Sequence, residues 1–119
     1  MARNDEARIQ AAIVDWARLV APDAIIYAVP NGGLRTKAEA ARMKWTGTLA
    51  GVPDLAIIAP GGMARFLEVK AGAGRLSPEQ AALIARLRDV GACVAVVRSI
   101  DEARAAFRAW GIATKEAGQ

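Results

Sequence analysis

Asp54, Glu68 and Lys70 are the residues of this chain best suited to chemistry. Asp54 closes the run Gly51-Val52-Pro53-Asp54, and Glu68-Val69-Lys70 begins fourteen residues after it. Side chains alternate along a strand, so Glu68 and Lys70 share one face while Val69 points to the other. Two adjoining carboxylates make a hard-oxygen cage for Mg²⁺ or Mn²⁺, and a nearby ammonium can orient a water or balance phosphate charge. That set suits metal-assisted phosphodiester hydrolysis. A glutamate two residues before a lysine is common, however, and alone it is usually a solvated strand edge whose ion pair contributes about 0–1 kcal/mol.

The elements that must position these residues make the stronger case. Leu55-Ala56-Ile57-Ile58-Ala59 is too apolar for a solvated edge. Pro60-Gly61-Gly62 signals a turn, and Met63-Ala64-Arg65-Phe66-Leu67 leads into Glu68. A hairpin closed by the three residues 60–62 sets Ala59 against Met63 and, five pairs back, Asp54 opposite Glu68. Directly opposed residues have Cβ atoms about 4.5–5.5 Å apart, where like charges destabilise unless a cation lies between them. Parity makes this a strict condition. A two-residue Gly61-Gly62 turn would set Asp54 against Val69 and turn Glu68 away. The site therefore requires a three- or five-residue loop, or a compensating bulge.

Upstream, a helix is expected from about Asp5 to Val20, with Ile9, Ile13, Trp16 and Val20 on one apolar stripe. Glu6 falls at the amino-terminal end of that stripe, where it either faces the site or simply favours the helix dipole. Ala24 to Val29 reads as a strand, which Pro30-Asn31-Gly32-Gly33 breaks. Thr36-Lys37-Ala38-Glu39 is a capping box opening a short helix to about Trp45. Arg35, Lys37, Arg42 and Lys44 oppose the single acid Glu39 in this stretch. They form either a solvated helix face or a DNA-backbone contact, with Asn31 and its two glycines letting the main chain approach a phosphate.

Downstream, Ser77-Pro78-Glu79-Gln80 is a second capping box, its helix stopped by Gly91. Gln80 is explained there as the partner of Ser77. Ala92 to Arg98 reads as the last buried strand, and Ser99 caps a final helix with Ile100, Ala103, Phe107 and Trp110 inward. Trp45 and Trp110 are open between interface anchors and ordinary core.

Composition excludes much else. With no histidine and one cysteine there is no His-based triad and no zinc ribbon, so any metal is held by oxygen. Cys93 is expected to be a small buried apolar residue. The 119 residues, 54% hydrophobic, suit one domain, and no apolar run reaches the ~20 residues of a membrane span. A polar amino terminus points to a cytosolic protein. The net charge of +4 is compatible with a polyanionic partner without establishing one.

Pro30-Asn31-Gly32-Gly33, Gly51-Val52-Pro53-Asp54, Glu68-Val69-Lys70, Leu76-Ser77-Pro78-Glu79-Gln80 and Gly91 with Val96-Val97-Arg98-Ser99 occur in an order and spacing far more specific than any one of them. From about Asn31 to Trp110 the chain resembles the VRR-NUC family, a branch of the PD-(D/E)xK nuclease superfamily. The resemblance implies an α/β, restriction-endonuclease-like fold with an αβββαβ core, its mixed sheet flanked by helices. It implies an Mg²⁺- or Mn²⁺-dependent DNA nuclease and, for small stand-alone members, homodimers acting on branched DNA. Asp54 and Glu68 would be metal ligands, with the Val69 carbonyl as a third and Glu6 completing the cage directly or through water. Lys70 would orient the attacking water or neutralise the transition state, Gln80 would hydrogen-bond water or phosphate nearby, and Arg98 would support the site or touch DNA. A nucleic-acid-binding or assembly module that keeps the fold without catalysis is the alternative, and a nuclease for RNA or mononucleotides is a third.

Overall fold

A computed structural model describes residues 2–30 and 36–116, with the main chain alone for residues 2–4. Its elements run α1 (Ala2–Val20), β1 (Ile25–Ala28), α2 (Lys37–Trp45), β2 (Leu55–Ile58), β3 (Ala64–Val69), α3 (Pro78–Asp89), β4 (Cys93–Val97) and α4 (Ile100–Ala109). The strands form one sheet in the order β1-β2-β3-β4, antiparallel except for the β3–β4 pair. A parallel neighbour needs a crossover, and α3 supplies it. The expected αβββαβ order is present, with α2 inserted between the first two strands and α4 added at the end.

Strand alternation divides the sheet into two unlike faces. Ile26, Leu55, Ile57, Leu67, Val69 and Val97 point to one of them, where α1 and α4 bring Ile13, Trp16, Ala103 and Phe107 to close the core. Trp16 and Phe107 meet with ring centroids 5.0 Å apart. The chain end is tied to the same side: the Trp16 Nε1–H donates to Glu116 (3.1 Å), whose carboxylate also accepts from Arg104. Ala56, Phe66, Glu68 and Val94 point to the opposite face, which α3 covers from the β4 side with Leu83 and Ile84 buried. Its β1 side is open, leaving Ile25 and Tyr27 exposed.

The hairpin takes the longer of the two odd-numbered loops that the site allows. The ladder's last pair is Ile58↔Ala64, so the loop is the five residues 59–63 and Ala59 does not pair with Met63. Gly62 N–H donates to the Ala59 carbonyl inside it (2.9 Å), with Gly61 and Gly62 both at positive φ, a conformation open to glycine. The paired residues still sum to an even number, as the site requires. One side chain departs from expectation: Cys93, at the start of β4, is only half-buried. Of the two tryptophans whose place was open, Trp45 is 84% exposed whereas Trp110 packs against the core. No helix among the described residues is long and apolar enough to cross a membrane.

Candidate active site

Asp54 and Glu68 extend the β2–β3 register by one pair beyond Leu55↔Leu67, which puts them opposite each other on the face that α3 covers. Asp54 is fixed by main-chain contacts. Its carbonyl accepts from Val29 N–H (2.8 Å), and its Oδ2 accepts from Val69 N–H (2.7 Å). Main-chain N–H and C=O of one strand residue point to the same edge, so the Val69 carbonyl is also directed toward Asp54's strand. Glu68 is 1% exposed, which is exceptional for a carboxylate. Gln80 reaches it from the first turn of α3. The capping-box expectation for Gln80 holds, since its Oε1 accepts from Ser77 N–H (2.8 Å), and its Nε2 makes a contact the sequence did not suggest, donating to Glu68 Oε2 (3.0 Å). Lys70, 8% exposed, lies with Nζ 3.8 Å from the same Glu68 oxygen.

Glu68 Oε1 has no hydrogen-bond donor among the described residues. Its neighbour is the Asp54 carboxyl, and two carboxylates can join only through a shared proton or a shared cation. In the metal-free protein the proton serves, and Glu68 is pushed up from 4.5 to about 8. Burial is the largest cause, followed by the Asp54 charge and the hydrogen bond with Asp54; Lys70 pulls the other way, and Glu6 adds a further push. An acid that binds its proton more tightly when folded stabilises the fold fully below its unfolded value, and that contribution is lost as pH climbs to the folded one. The metal-free protein should therefore melt several degrees lower as pH rises from about 4.5 to about 8. Glu68→Gln should flatten this slope. Thermal melts in EDTA across that window check it, and equal slopes in the two proteins would remove Glu68 as the cause.

Glu6, half-buried on α1, stands at the rim. Its Oε2 is 3.6 Å from where a Cβ on Gly74 would lie, and its charge is felt at Glu68. Among the described residues no three acidic side chains converge on one point, so Glu6 does not join the pair as a third close carboxylate.

Two residues hold this site in ways the sequence does not announce. Gly51 has φ +88, and a Cβ there would lie 2.5 Å from the Glu79 carbonyl oxygen, so glycine is required. The turn that delivers Asp54 thus packs on the main chain of α3's first turn, which delivers Gln80. Arg98, just past β4, donates through Nη1 to the Gly72 (2.9 Å) and Gly74 (2.8 Å) carbonyls. It staples the turn that follows Lys70. The signal for this clamp was an arginine ending a strand in a chain whose Ala71-Gly72-Ala73-Gly74 connection has no side chains to order it.

Lys37, Arg42 and Lys44 lie exposed on α2, which has the expected capping box and buries none of its residues. Asn31 and Arg35 fall outside the described residues.

The molecule is an α/β protein, a mixed sheet flanked by four helices with paired acids and a lysine at the adjoining ends of an antiparallel hairpin. The model of the VRR-NUC domain matches residues 1–101. The chain belongs to the VRR-NUC family. Among solved structures, one described as a VRR_NUC domain is similar at 24% identity and TM-score 0.61, over 87% of this chain and 95% of that one. Another, described as a VRR_NUC domain protein, is similar at 24% identity and TM-score 0.69, over 87% of this chain and 84% of that one. No curated protein matches the sequence.

Proposed function

We propose that the chain is a metal-dependent deoxyribonuclease that hydrolyses DNA phosphodiester bonds. The observation that carries this reading is the orphaned oxygen of a buried Glu68 set against Asp54. That donor set fits Mg²⁺ or Mn²⁺, hard cations that favour carboxylate and carbonyl oxygen and keep several waters. Asp54, Glu68 and the Val69 carbonyl would hold the ion, and Glu6, standing off from the pair, would reach it through water. When bound, the ion would neutralise charge on the scissile phosphate and lower the pKa of a water.

The chain's own residues have separate tasks in this reading. Gln80 aims Glu68 by bonding one oxygen and leaving the other free. Lys70 places a positive charge beside the acids, where it offsets the charge that develops on the phosphate or orients the attacking water. Arg98 keeps the turn after Lys70 in place. Lys37, Arg42 and Lys44, with Arg35 and Asn31, supply the sequence-independent grip on the DNA backbone. The exposed apolar half-face at Ile25 and Tyr27 suits pairing with a second copy, in keeping with the homodimer the resemblance implies.

The test is a panel of linear, flap and four-way-junction DNAs, and an RNA of matching sequence, incubated with Mg²⁺, Mn²⁺ or EDTA. Cutting of DNA that EDTA abolishes is expected, with junction or flap substrates preferred. Binding without cutting under every condition would support the non-catalytic module, and faster cutting of the RNA would change the substrate class. Sedimentation of the same sample reads the oligomeric state.

A further inference from the structure

Helix α2 stands clear of the core. It buries no residue, and an isolated helix shorter than ~12–15 residues is marginal in water. At its carboxyl end Trp45 is 84% exposed, the most exposed large apolar residue among those described. Thr46 and Gly47 close the helix onto the Arg42 and Lys44 carbonyls (2.9 and 3.2 Å), and Thr48 N–H reaches the Met43 carbonyl (2.8 Å). The tryptophan thus sits on an ordered helix end. Arg42 is its neighbour one turn back, at the i, i+3 spacing that shares a helix side.

Charge decides what covers this surface. Lys37, Arg42 and Lys44 face one acid, Glu39, whose carboxylate is engaged in the capping box. A second copy docked α2 against α2 would oppose like charges, because a two-fold interface presents the same patch from both sides. A polyanion meets complementary charge. Among polyanions, an aromatic ring set in a basic surface fits nucleobases, whose faces stack on it whatever their identity. Such stacking requires a base outside the duplex.

We infer that Trp45 is a stacking platform for an unpaired base of the bound DNA, flanked by the α2 cations that hold its phosphates. The inference rests on the reading of the chain as a DNA nuclease. Gly51, which packs beside Gln80, is six chain steps from Trp45, so the platform lies at most about 21 Å along the chain from the wall of the acid site. A base held there belongs to the same substrate as the phosphate at Asp54 and Glu68. The contact would favour DNA with a single-stranded portion beside the scissile bond.

The experiment uses the full chain in EDTA, so that nothing is cut. Affinities of wild type, Trp45→Ala and Trp45→Phe are measured for a duplex with a single-stranded tail and for the same duplex filled in to blunt ends. Trp45→Ala should lose about tenfold on the tailed DNA and less than twofold on the blunt one, while Trp45→Phe keeps most of the difference. Tryptophan emission gives a second readout. Trp16 is buried and Trp110 half-buried, so tailed DNA should quench the wild type and leave Trp45→Phe largely unquenched. Equal losses on both DNAs, or no loss on either, would overturn the inference. So would conversion of a dimer to a monomer by Trp45→Ala, which would make the tryptophan an interface anchor. Replacing Lys37, Arg42 and Lys44 with alanine separates the two levels of argument. It should lower the salt dependence of binding for both DNAs. If wild type binds neither DNA, the nuclease reading falls and takes this inference with it; if binding and salt slope behave as expected but Trp45 is silent, the inference alone falls.

Discussion

Asp54→Asn should give a folded protein that binds DNA and does not cut it, with cleavage down on the order of 10³-fold or more. The asparagine retains an oxygen to accept from Val69 N–H, so the 2.7 Å contact that fixes the strand end survives. What goes is one of the two negative charges that a divalent cation would compensate. Glu68→Gln should fail in the same way, because its amide can donate toward Asp54 and so do the cation's structural work without its chemistry. In metal-free buffer both variants should melt at or above the wild-type temperature: burial first and the Asp54 charge second push Glu68 up to about 8, Glu68→Gln removes both causes and Asp54→Asn removes the second. Loss of activity alone would be uninformative, as any core lesion produces it. Loss of activity with equal or greater stability is the signature of a site held together against its own charge. Undiminished Mg²⁺- or Mn²⁺-dependent cutting in both variants would end the assignment of these acids.

How far the sequence reaches is clearest at this acid pair. Strand alternation has a period of two, so the position of Glu68 relative to Asp54 depends only on the parity of the hairpin, not on its detailed turn. Either odd-numbered loop gives the same pairing, and the chain uses the five residues 59–63. The helices were legible for a related reason: Ile13, Trp16, Ala103 and Phe107 are spaced by the helical period, and burial follows period. The Arg98 clamp was not legible as such. It depends on the path of four small residues, Ala71 to Gly74, whose carbonyls are aimed by φ and ψ values that side-chain pattern does not encode. Gln80 shows a subtler limit. Its oxygen was assigned to the capping box, but an amide also has donors, and only the three-dimensional path of α3 brings them to Glu68. The exposure of Trp45 was equally hidden, because a tryptophan in a short helix reads the same from sequence whether or not another element covers it.

Lys70→Ala should lower the rate on the order of 10²–10³-fold while leaving the metal requirement at its wild-type midpoint or below it. An ammonium has three donors and no acceptor, so Lys70 cannot be a ligand, and its removal takes nothing from the oxygen cage. It does take away a positive charge that opposes the proton on Glu68, its Nζ lying 3.8 Å from that carboxylate. Without that competing cation, the acid pair should hold Mg²⁺ or Mn²⁺ at least as firmly at pH 8. Single-turnover cleavage against metal concentration separates the two quantities, the plateau reporting Lys70's contribution to the reaction and the midpoint reporting the cage. A plateau within tenfold of wild type would reduce Lys70 to a structural counter-ion for Glu68. A midpoint raised by an order of magnitude or more would mean that the lysine shapes the acids rather than acting on the phosphate.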